Sequence, residues 1–332
     1  MTTDKVKVLF IAGNGRSGST LLGVVLGQIP GFFNVGEVRR VWDEYNSEQD
    51  ARSGTERICS CGVPFRSCPE WTAVFRQAFG SMDAVDRRAL SASSWKFSMH
   101  KRLVAPTMGQ TAFPWEREEL DTFLGALDRL YAAIPPATGS RLIVDASKWP
   151  MYGAMVSMLP SVEMYVLHLV RDPRAVAFSW TRPKVRPGEM YIPPQNLLKT
   201  TGYWVAVNPA VEQYWNAGAN PRYMRMTYES FVQSPRASLE RILEFVGASG
   251  LTLPMRGERT VMTDATHSVA GNESRAARGE LTLRLDDEWR RKLPRHHRAV
   301  VEALTWPMLV KYGYEGREAR RRRRETAELA ST

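Results

Sequence analysis

The chain has 332 residues, 43% of them hydrophobic, with 45 Lys+Arg against 35 Asp+Glu, 24 glycines, 20 prolines and 3 cysteines. This length and apolar content allow one large α/β domain or two smaller ones, and they exclude a disordered, collagen-like or disulfide-scaffold chain. The formal charge of +10 points to an anionic partner. Part of that excess is terminal, because residues 317–332 hold six arginines (Arg317 and Arg320 to Arg324) against three glutamates. This basic tail reads as a solvated end or as a peripheral contact with an anionic membrane surface. No base-reading motif accompanies it, so nucleic acid is not expected. The first residues alternate charged and apolar positions and lead into a strand, unlike a signal peptide, and the apolar stretch at 21–29 is about half a membrane span. The expectation is a reducing, cytoplasmic setting with no transmembrane segment.

In chain order, Val6–Ala12 (VKVLFIA) reads as a buried parallel strand, short, apolar and β-branched. A Gly/Ser loop follows over 13–19, then a helix over 20–29 whose packed face carries Leu21, Val24, Val25 and Leu26. Residues 41–140 hold the cysteines and two amphipathic helical stretches, at about 71–79 and 116–134, and predict a helical insertion. A second strand–helix–strand unit comprises 141–145 (RLIVD), 151–158 and 163–170 (EMYVLHLV). Asp172 as N-cap and Pro173 at the first helical position then start a helix through Trp180. The Pro- and Gly-rich stretch 182–209 predicts a surface loop that covers a site. A strand at 222–226 precedes a helix capped by Ser234, opened by Pro235 and ended by Gly247. Strands alternating with helices predict an α/β fold, a P-loop-like parallel sheet with helices on both faces. Residues 1–316 are expected to form a single domain, with the helical insertion at about 41–140.

Gly13-Asn14-Gly15-Arg16-Ser17-Gly18-Ser19-Thr20 approaches the pattern G-x-x-x-x-G-K-[ST], with Ser19 in place of the lysine. Between a buried strand and a helix, such a loop aims backbone N–H groups and a helix N-terminus at one spot, where an anion is held. The missing lysine argues against an ordinary Mg-dependent NTPase, and Arg16 supplies a cation of different geometry.

Residues 15–22 (G-R-S-G-S-T-L-L) resemble the 5′-phosphosulfate loop of sulfotransferases that use 3′-phosphoadenylyl sulfate (PAPS), in the branch of the carbohydrate and tyrosyl-protein enzymes. Val170-Arg171-Asp172-Pro173-Arg174 with Ser179 is similar to the family's 3′-phosphate motif. Residues 225–235 (R-M-T-Y-E-S-F-V-Q-S-P) resemble its R-Y-E-D-L…P segment, which implies that Tyr228 contacts the adenine. Residues 267–275 (H-S-V-A-G-N-E-S-R) resemble the loop that closes over the nucleotide, with Glu273 where proline is common. The resemblance therefore implies PAPS as sulfuryl donor without a metal. It implies a cofactor site of Arg16, Ser17, Gly18, Ser19, Thr20, Arg171, Ser179, Tyr228, His267, Gly271, Asn272 and Arg275. Even apart from the family, Gly271 and Asn272 followed by Arg275 and Arg278 look like a second anion-binding turn.

Sulfuryl transfer needs a base for the acceptor proton and cations for the bridging and leaving oxygens. Gly36-Glu37 resembles the segment that carries the general base in the tyrosyl-protein branch, so Glu37 is the candidate base, with a pairing to Arg39 or Arg40 as the plain alternative. Lys148 in V-D-A-S-K resembles the catalytic lysine of bacterial relatives and, with Arg16, would steady the transition state. Cytosolic members carry a histidine two residues after that lysine, whereas this chain has Pro150. His168 lies inside an apolar strand and reads as a core residue.

Cys59, Cys61 and Cys68 leave reduced thiols, a Cys61–Cys68 or Cys59–Cys68 disulfide, and a metal site all open. Three thiols without a nearby histidine fall short of the four ligands of structural zinc. The leading expectation is sulfuryl transfer from PAPS to a hydroxyl or phenol of a small-molecule, carbohydrate or glycolipid acceptor. Trp42, Tyr45, Trp95, Trp115 and Tyr191 are the aromatics available to shape the acceptor pocket. The rivals are a P-loop kinase or nucleotide hydrolase, with Asp145 to hold Mg²⁺, and an anionic-surface binding module acting through the tail.

Overall fold

Alternating burial along the first strand sets the layers. In β1 (Val6–Ala12), Val8, Phe10 and Ala12 face one core while Leu9 and Ile11 face another, and all five are fully buried. A strand apolar on both faces belongs in the middle of a sheet covered on both sides. The computed structural model, which describes residues 5–43, 57–99, 117–182, 184–186, 189–192, 194–216 and 219–314, places it there. The basic tail at 317–332 lies outside the described residues. Among the described residues no helix is long and apolar enough to cross a membrane.

The chain runs from β1 through α1 (Ser19–Leu26) to β2 (Phe32–Gly36). It then passes through α2 (Pro69–Phe79), α3 (Arg87–Met99) and α4 (Arg117–Thr138) to β3 (Leu142–Lys148). Helix α5 (Pro150–Ser157) leads to β4 (Val162–Val170), and α6 (Pro173–Thr181) to a small ribbon of β5 (Lys184–Arg186) and β6 (Glu189–Ile192). Next come α7 (Leu197–Trp215), β7 (Tyr223–Thr227), α8 (Tyr228–Gln233) and α9 (Pro235–Phe245). A second ribbon, β8 (Thr260–Thr263) with β9 (Gly279–Thr282), precedes α10 (Trp289–Lys292) and α11 (Arg295–Lys311). The main sheet has five strands in the order β2-β3-β1-β4-β7, every neighbouring pair parallel. On one face Leu22, Val25 and Leu26 of α1 and Leu239, Ile242 and Leu243 of α9 bury Leu9 and Ile11. On the other, Phe75, Phe97, Phe123, Leu127 and Tyr131 of the insertion join Val8 and Phe10 in one core. The predicted α/β architecture and helical insertion are therefore observed.

The carboxyl edge of the sheet is irregular. Phe10 pairs with Asp145 but Ala12 with Lys148, so β3 carries one extra residue there. Lys148 has φ +69°, a left-handed conformation that a side-chain-bearing residue adopts at a cost. Bulges of this kind re-aim side chains at the ends of strands.

Two sequence expectations need correction. The stretch 182–209 is only partly loop, since α7 begins at Leu197. Asn196 caps it, accepting from Leu198 N at 2.9 Å and Lys199 N at 3.1 Å, and Trp204, Val211 and Trp215 bury its inner face. That packing outweighs the cost of Pro209 in the helix interior, about 3 kcal/mol. Ser234 precedes α9 as expected, but its side chain makes no capping hydrogen bond. Asp172 does cap α6, accepting from Arg174 N at 2.9 Å.

Asp145 is fully buried within β3, accepting from Tyr131 Oη at 2.7 Å and from Ser147 N at 2.8 Å. Burial pushes its carboxyl up from 3.8 to about 6 against the pull of those bonds and of Lys148. The folded chain holds this proton more tightly than the unfolded one, so this group makes stability fall as pH rises from 3.8 to about 6. Asp145→Asn should abolish that loss. Thermal melts of the two proteins should show the melting-temperature difference moving by several degrees in the variant's favour between pH 4 and 6.5, where ~1 kcal/mol corresponds to a few degrees.

Candidate active site

All five strands of the sheet end, at their carboxyl side, on a residue singled out in the sequence. Open α/β sheets hold ligands at this edge. Here β1 enters the loop 13–18, β2 is followed by Glu37, β3 ends on Lys148, β4 is followed by Arg171 and β7 by Tyr228. The loop has no room for side chains at two of its glycines. A Cβ on Gly13 (φ +146°) would stand 2.5 Å from the Leu169 carbonyl oxygen, and one on Gly18 (φ +93°) 2.4 Å from the Tyr228 ring. Gly18 forms the N-terminal boundary of α1 with no side-chain cap, so the first N–H groups of that helix remain directed at the loop. The buried Ser17 Oγ and Asn14 Nδ2 have no hydrogen-bond partner among the described residues. A loop with orphaned donors, a bare helix start and the Arg16 guanidinium 4.5 Å over the Trp180 ring suits an anion with several oxygens.

A cavity of about 470 Å³ opens beside this loop and is lined by Arg16, Gly18, Ser19, Thr20, Glu37, Arg39, Lys148 and Asn272, with Trp95, Trp149, Trp180 and Tyr203 as its aromatic walls. Lys148 Nζ donates to Glu37 Oε1 at 2.6 Å and to the Ala146 carbonyl at 3.1 Å. Glu37 thus pairs with Lys148 rather than with the neighbouring arginines. Burial alone would raise the Glu37 carboxyl, but the charge and hydrogen bond of Lys148, aided by Arg39 and Arg40, hold it at about 2. Sequence reasoning gave Arg39 no role beyond a pairing with Glu37. Its guanidinium is buried 4.2 Å over the Trp95 ring and 5.2 Å from that of Trp149, and its Nε and Nη1 have no hydrogen-bond partner among the described residues. No motif marks it, because Trp95 and Trp149 lie 56 and 110 residues away.

Other expected residues, Asn272 apart, stand around the cavity rather than in it. Arg171 is buried behind the loop, donating to the Arg16 carbonyl at 3.1 Å and to Asp286 Oδ2 at 3.0 Å, with its Cζ 4.4 Å over the Tyr228 ring. Its Nε has no partner among the described residues. Asp172 pairs with Arg174 at 2.8 Å, which leaves Arg171 to the site. Ser179 is buried on α6. Gly271 abuts Thr20, and Asn272 N donates to Thr20 Oγ1 at 3.4 Å, so the late loop does reach the anion loop. Two residues of that loop are placed differently. Arg275 donates to the carbonyls of Ile58 and Val269, at 3.0 and 3.4 Å, and His267 lies beside the Cys68 sulfur, its Nδ1 at 3.3 Å. Neither lines the cavity. His168 is a core residue between Tyr223 Oη at 2.9 Å and Asn208 Oδ1 at 3.0 Å, and burial lowers it to about 4.

Among the aromatics, Trp95 lines the cavity, Trp42 is core, and Tyr45, Trp115 and the Tyr191 side chain lie outside the described residues. Asp145, the rival reading's Mg²⁺ ligand, is buried between Tyr131 and Ser147 and does not line the cavity.

The sequence matches the sulfotransferase family over residues 9–251, and the chain belongs to that family. It is thereby a PAPS-dependent sulfotransferase in class. Its structure is similar to the sulfotransferase domain from the curacin biosynthetic pathway, at 15% identity and a TM-score of 0.50, over 92% of this chain and 98% of that one. That likeness is one of fold. Weaker likenesses are to a sulfotransferase from Alicyclobacillus acidocaldarius (14% identity, TM-score 0.35, 91% and 96% covered) and to sulfotransferase STF9 from Mycobacterium avium (12%, 0.39, 74% and 64%). No curated protein matches the sequence.

The Glu37–Lys148 pair has a measurable signature. A carboxyl held at about 2 is ionised at every pH where the protein would be assayed, so Glu37 should produce no acid limb in kcat/KM between pH 5 and 8. In Lys148→Met the raising effect of burial loses its main opponent. The acid limb should then move up into the range above 4.5, while kcat falls by about 10²–10³-fold through loss of the cation. A pH–rate profile of both proteins checks this.

Proposed function

We propose that this enzyme transfers the sulfuryl group of PAPS to a hydroxyl or phenol of a small-molecule, carbohydrate or glycolipid acceptor. The observation that carries the reading is the 2.6 Å Glu37–Lys148 pair within the same cavity as the anion loop. When bound, PAPS supplies an activated sulfuryl group on a phosphate leaving group. Arg16, Ser17, Gly18, Ser19 and Thr20 hold the 5′-phosphosulfate through backbone N–H groups, hydroxyls and the guanidinium. Arg171 and Ser179 hold the 3′-phosphate, with Asp286 giving up its place on Arg171. Tyr228 lies against the adenine end, and Gly271 with Asn272 closes the late loop against Thr20. Glu37 accepts the proton of the acceptor hydroxyl, and Lys148 with Arg16 takes up charge on the bridging oxygen.

This division of labour also bears on the basicity of Glu37. A carboxylate at about 2 is a weak base, because basicity falls with pKa. Lys148 turning toward a phosphosulfate oxygen weakens its hold on Glu37, and burial then raises the carboxyl toward the range of an effective base. The base is thus strengthened only when donor is bound, which limits idle proton transfer in its absence.

Arg39 supports a finer reading of the acceptor. A buried guanidinium with two N–H sites that have no partner among the described residues, flanked by Trp95 and Trp149, favours an acceptor that carries oxygens or a negative charge next to a ring.

PAPS or 3′,5′-ADP should raise the melting temperature, by an amount corresponding to about 2.7 kcal/mol at a hundredfold excess over Kd. ATP with Mg²⁺ should do so weakly or not at all. Absence of a shift with both adenosine 3′-phosphates, or an equal shift with ATP and Mg²⁺, would overturn the assignment. In a screen with labelled PAPS, Arg39→Leu should raise KM for the preferred acceptor at least tenfold while leaving donor affinity unchanged. Loss of donor affinity instead would place Arg39 on the donor.

A further inference from the structure

The three cysteines have a fourth companion that lies 199 residues beyond Cys68 in sequence. Cys59 Sγ, Cys61 Sγ, Cys68 Sγ and a ring nitrogen of His267 all lie within 4.8 Å of one another. Cys61 Sγ and Cys68 Sγ are 3.9 Å apart, and Cys68 Sγ is 3.3 Å from His267 Nδ1. All three thiols are free, so neither disulfide left open by the sequence is formed. A tetrahedral zinc site, with sulfur at about 2.3 Å and nitrogen at about 2.0–2.1 Å from the ion, has edges of about 3.5–3.8 Å. The observed separations bracket those edges, and small side-chain rotations close the remainder. We propose that Cys59, Cys61, Cys68 and His267 form a structural zinc site that ties the helical insertion to the late loop of the active site.

The surroundings are those of a built ligand set. Cys59 and Cys61 sit on a tight hairpin, with Cys59 N donating to the Val63 carbonyl and Gly62 N to the Cys59 carbonyl, both at 2.9 Å. Gly62, at φ +98°, lets the chain turn back so that both thiols face inward. Cys68 immediately precedes α2, whose N-terminus favours negative charge. The histidine is held from outside the cluster. Trp71 Nε1 donates to its carbonyl at 2.5 Å, and its ring stacks on Phe33 with an interplanar angle of 11°. Cys59 and Cys68 are buried, and Phe65 and Trp71 shield them from solvent. Binding replaces each S–H bond with a metal–thiolate bond and releases its proton to solvent. The resulting site carries a net charge of −1, and Arg275 and Arg278 donate to the Ile58 and Ser60 carbonyls of the same hairpin.

Four protein ligands leave no open position, so the site serves structure rather than Lewis-acid chemistry. Its position gives it a reach into the active site. Ser60 Oγ donates to the Thr266 carbonyl at 2.7 Å and accepts from Ser268 N at 2.8 Å, so hairpin and late loop are already laced together. Two residues further on, the Ala270 carbonyl accepts from Glu37 N at 3.2 Å, and Asn272 N reaches Thr20. A metal at His267 therefore fixes the segment that backs both Glu37 and the anion loop.

The test is metal analysis of the full-length, untagged chain purified under reducing conditions. Elemental analysis should give one zinc per chain after dialysis, and X-ray absorption should give about three sulfur ligands at 2.3 Å and one nitrogen at 2.0–2.1 Å. Cobalt(II) added to stripped protein should produce thiolate charge-transfer and tetrahedral d–d bands that zinc abolishes. His267→Ala should bind zinc at least tenfold more weakly. His267→Cys should recover one zinc per chain with four sulfur ligands, an outcome that a misfolded variant would not give. Zinc below a tenth per chain in folded, zinc-reconstituted wild type, an absorption spectrum lacking sulfur ligands, or unchanged zinc affinity in both Cys68→Ser and His267→Ala would overturn the proposal. These readouts do not depend on sulfuryl transfer, so failure of the metal site and failure of the assigned reaction are distinguishable.

Discussion

The turn from β1 into α1 is the constraint on which the rest of the molecule depends. Its backbone runs so close to the Leu169 carbonyl and to the Tyr228 ring that Gly13 and Gly18 admit no side chain. It is also held from below, where Gly13 N donates to the Lys148 carbonyl at 3.2 Å and Arg171 donates to the Arg16 carbonyl. One short loop is therefore in contact with the carboxyl ends of β3, β4 and β7. The sheet order sets those contacts, because β1 lies between β3 and β4 and each neighbour delivers its terminal cation to the same side. The bulge that lets Lys148 turn into the cavity sits at the same level.

Concentrating cations at one edge is costly unless carboxylates hold them apart until a ligand arrives. Glu37 holds Lys148, and Asp286 holds Arg171. Both pairs are short and partly open to solvent, mainly on the carboxylate side. Asp172 and Arg174 form the contrasting case, with both side chains almost fully buried and the carboxylate also capping α6. That pair anchors the helix bearing Ser179, whereas the first two stand at the carboxyl edge of the sheet.

Much of this was legible in the sequence because local pattern and local function coincided. An apolar β-branched run ending in glycines can only be a buried strand entering a tight loop, and Asp172-Pro173 states a helix start in two residues. The failures have physical causes as well. Pro and Gly between 182 and 209 masked a helix that is stabilised by Trp204, Val211 and Trp215, residues whose burial depends on distant elements. The left-handed conformation of Lys148 leaves no trace in its neighbours' identities. His267 matched a nucleotide-loop pattern in sequence, yet tertiary contact carries it to Cys68. The cysteines looked one ligand short because sequence proximity was the only measure of nearness.

The helical insertion gains a different meaning from the same contacts. It supplies Phe75, Phe97, Phe123 and Tyr131 to the core on one face of the sheet, so it is structurally continuous with the donor side. It also supplies Trp95, which stacks on Arg39, while Ser94 Oγ donates to the Arg39 carbonyl at 2.8 Å and Arg39 N donates to Ser147 Oγ at 3.1 Å. Arg39 is thus gripped by the insertion on one side and by β3 on the other, two residues from Glu37 and one from Lys148 across the bond to Ser147. A change in the packing of the insertion would move Arg39 and the Glu37–Lys148 pair together. Arg39 and the Glu37–Lys148 pair are in this way mechanically joined, because one short backbone segment carries both Glu37 and the buried Arg39.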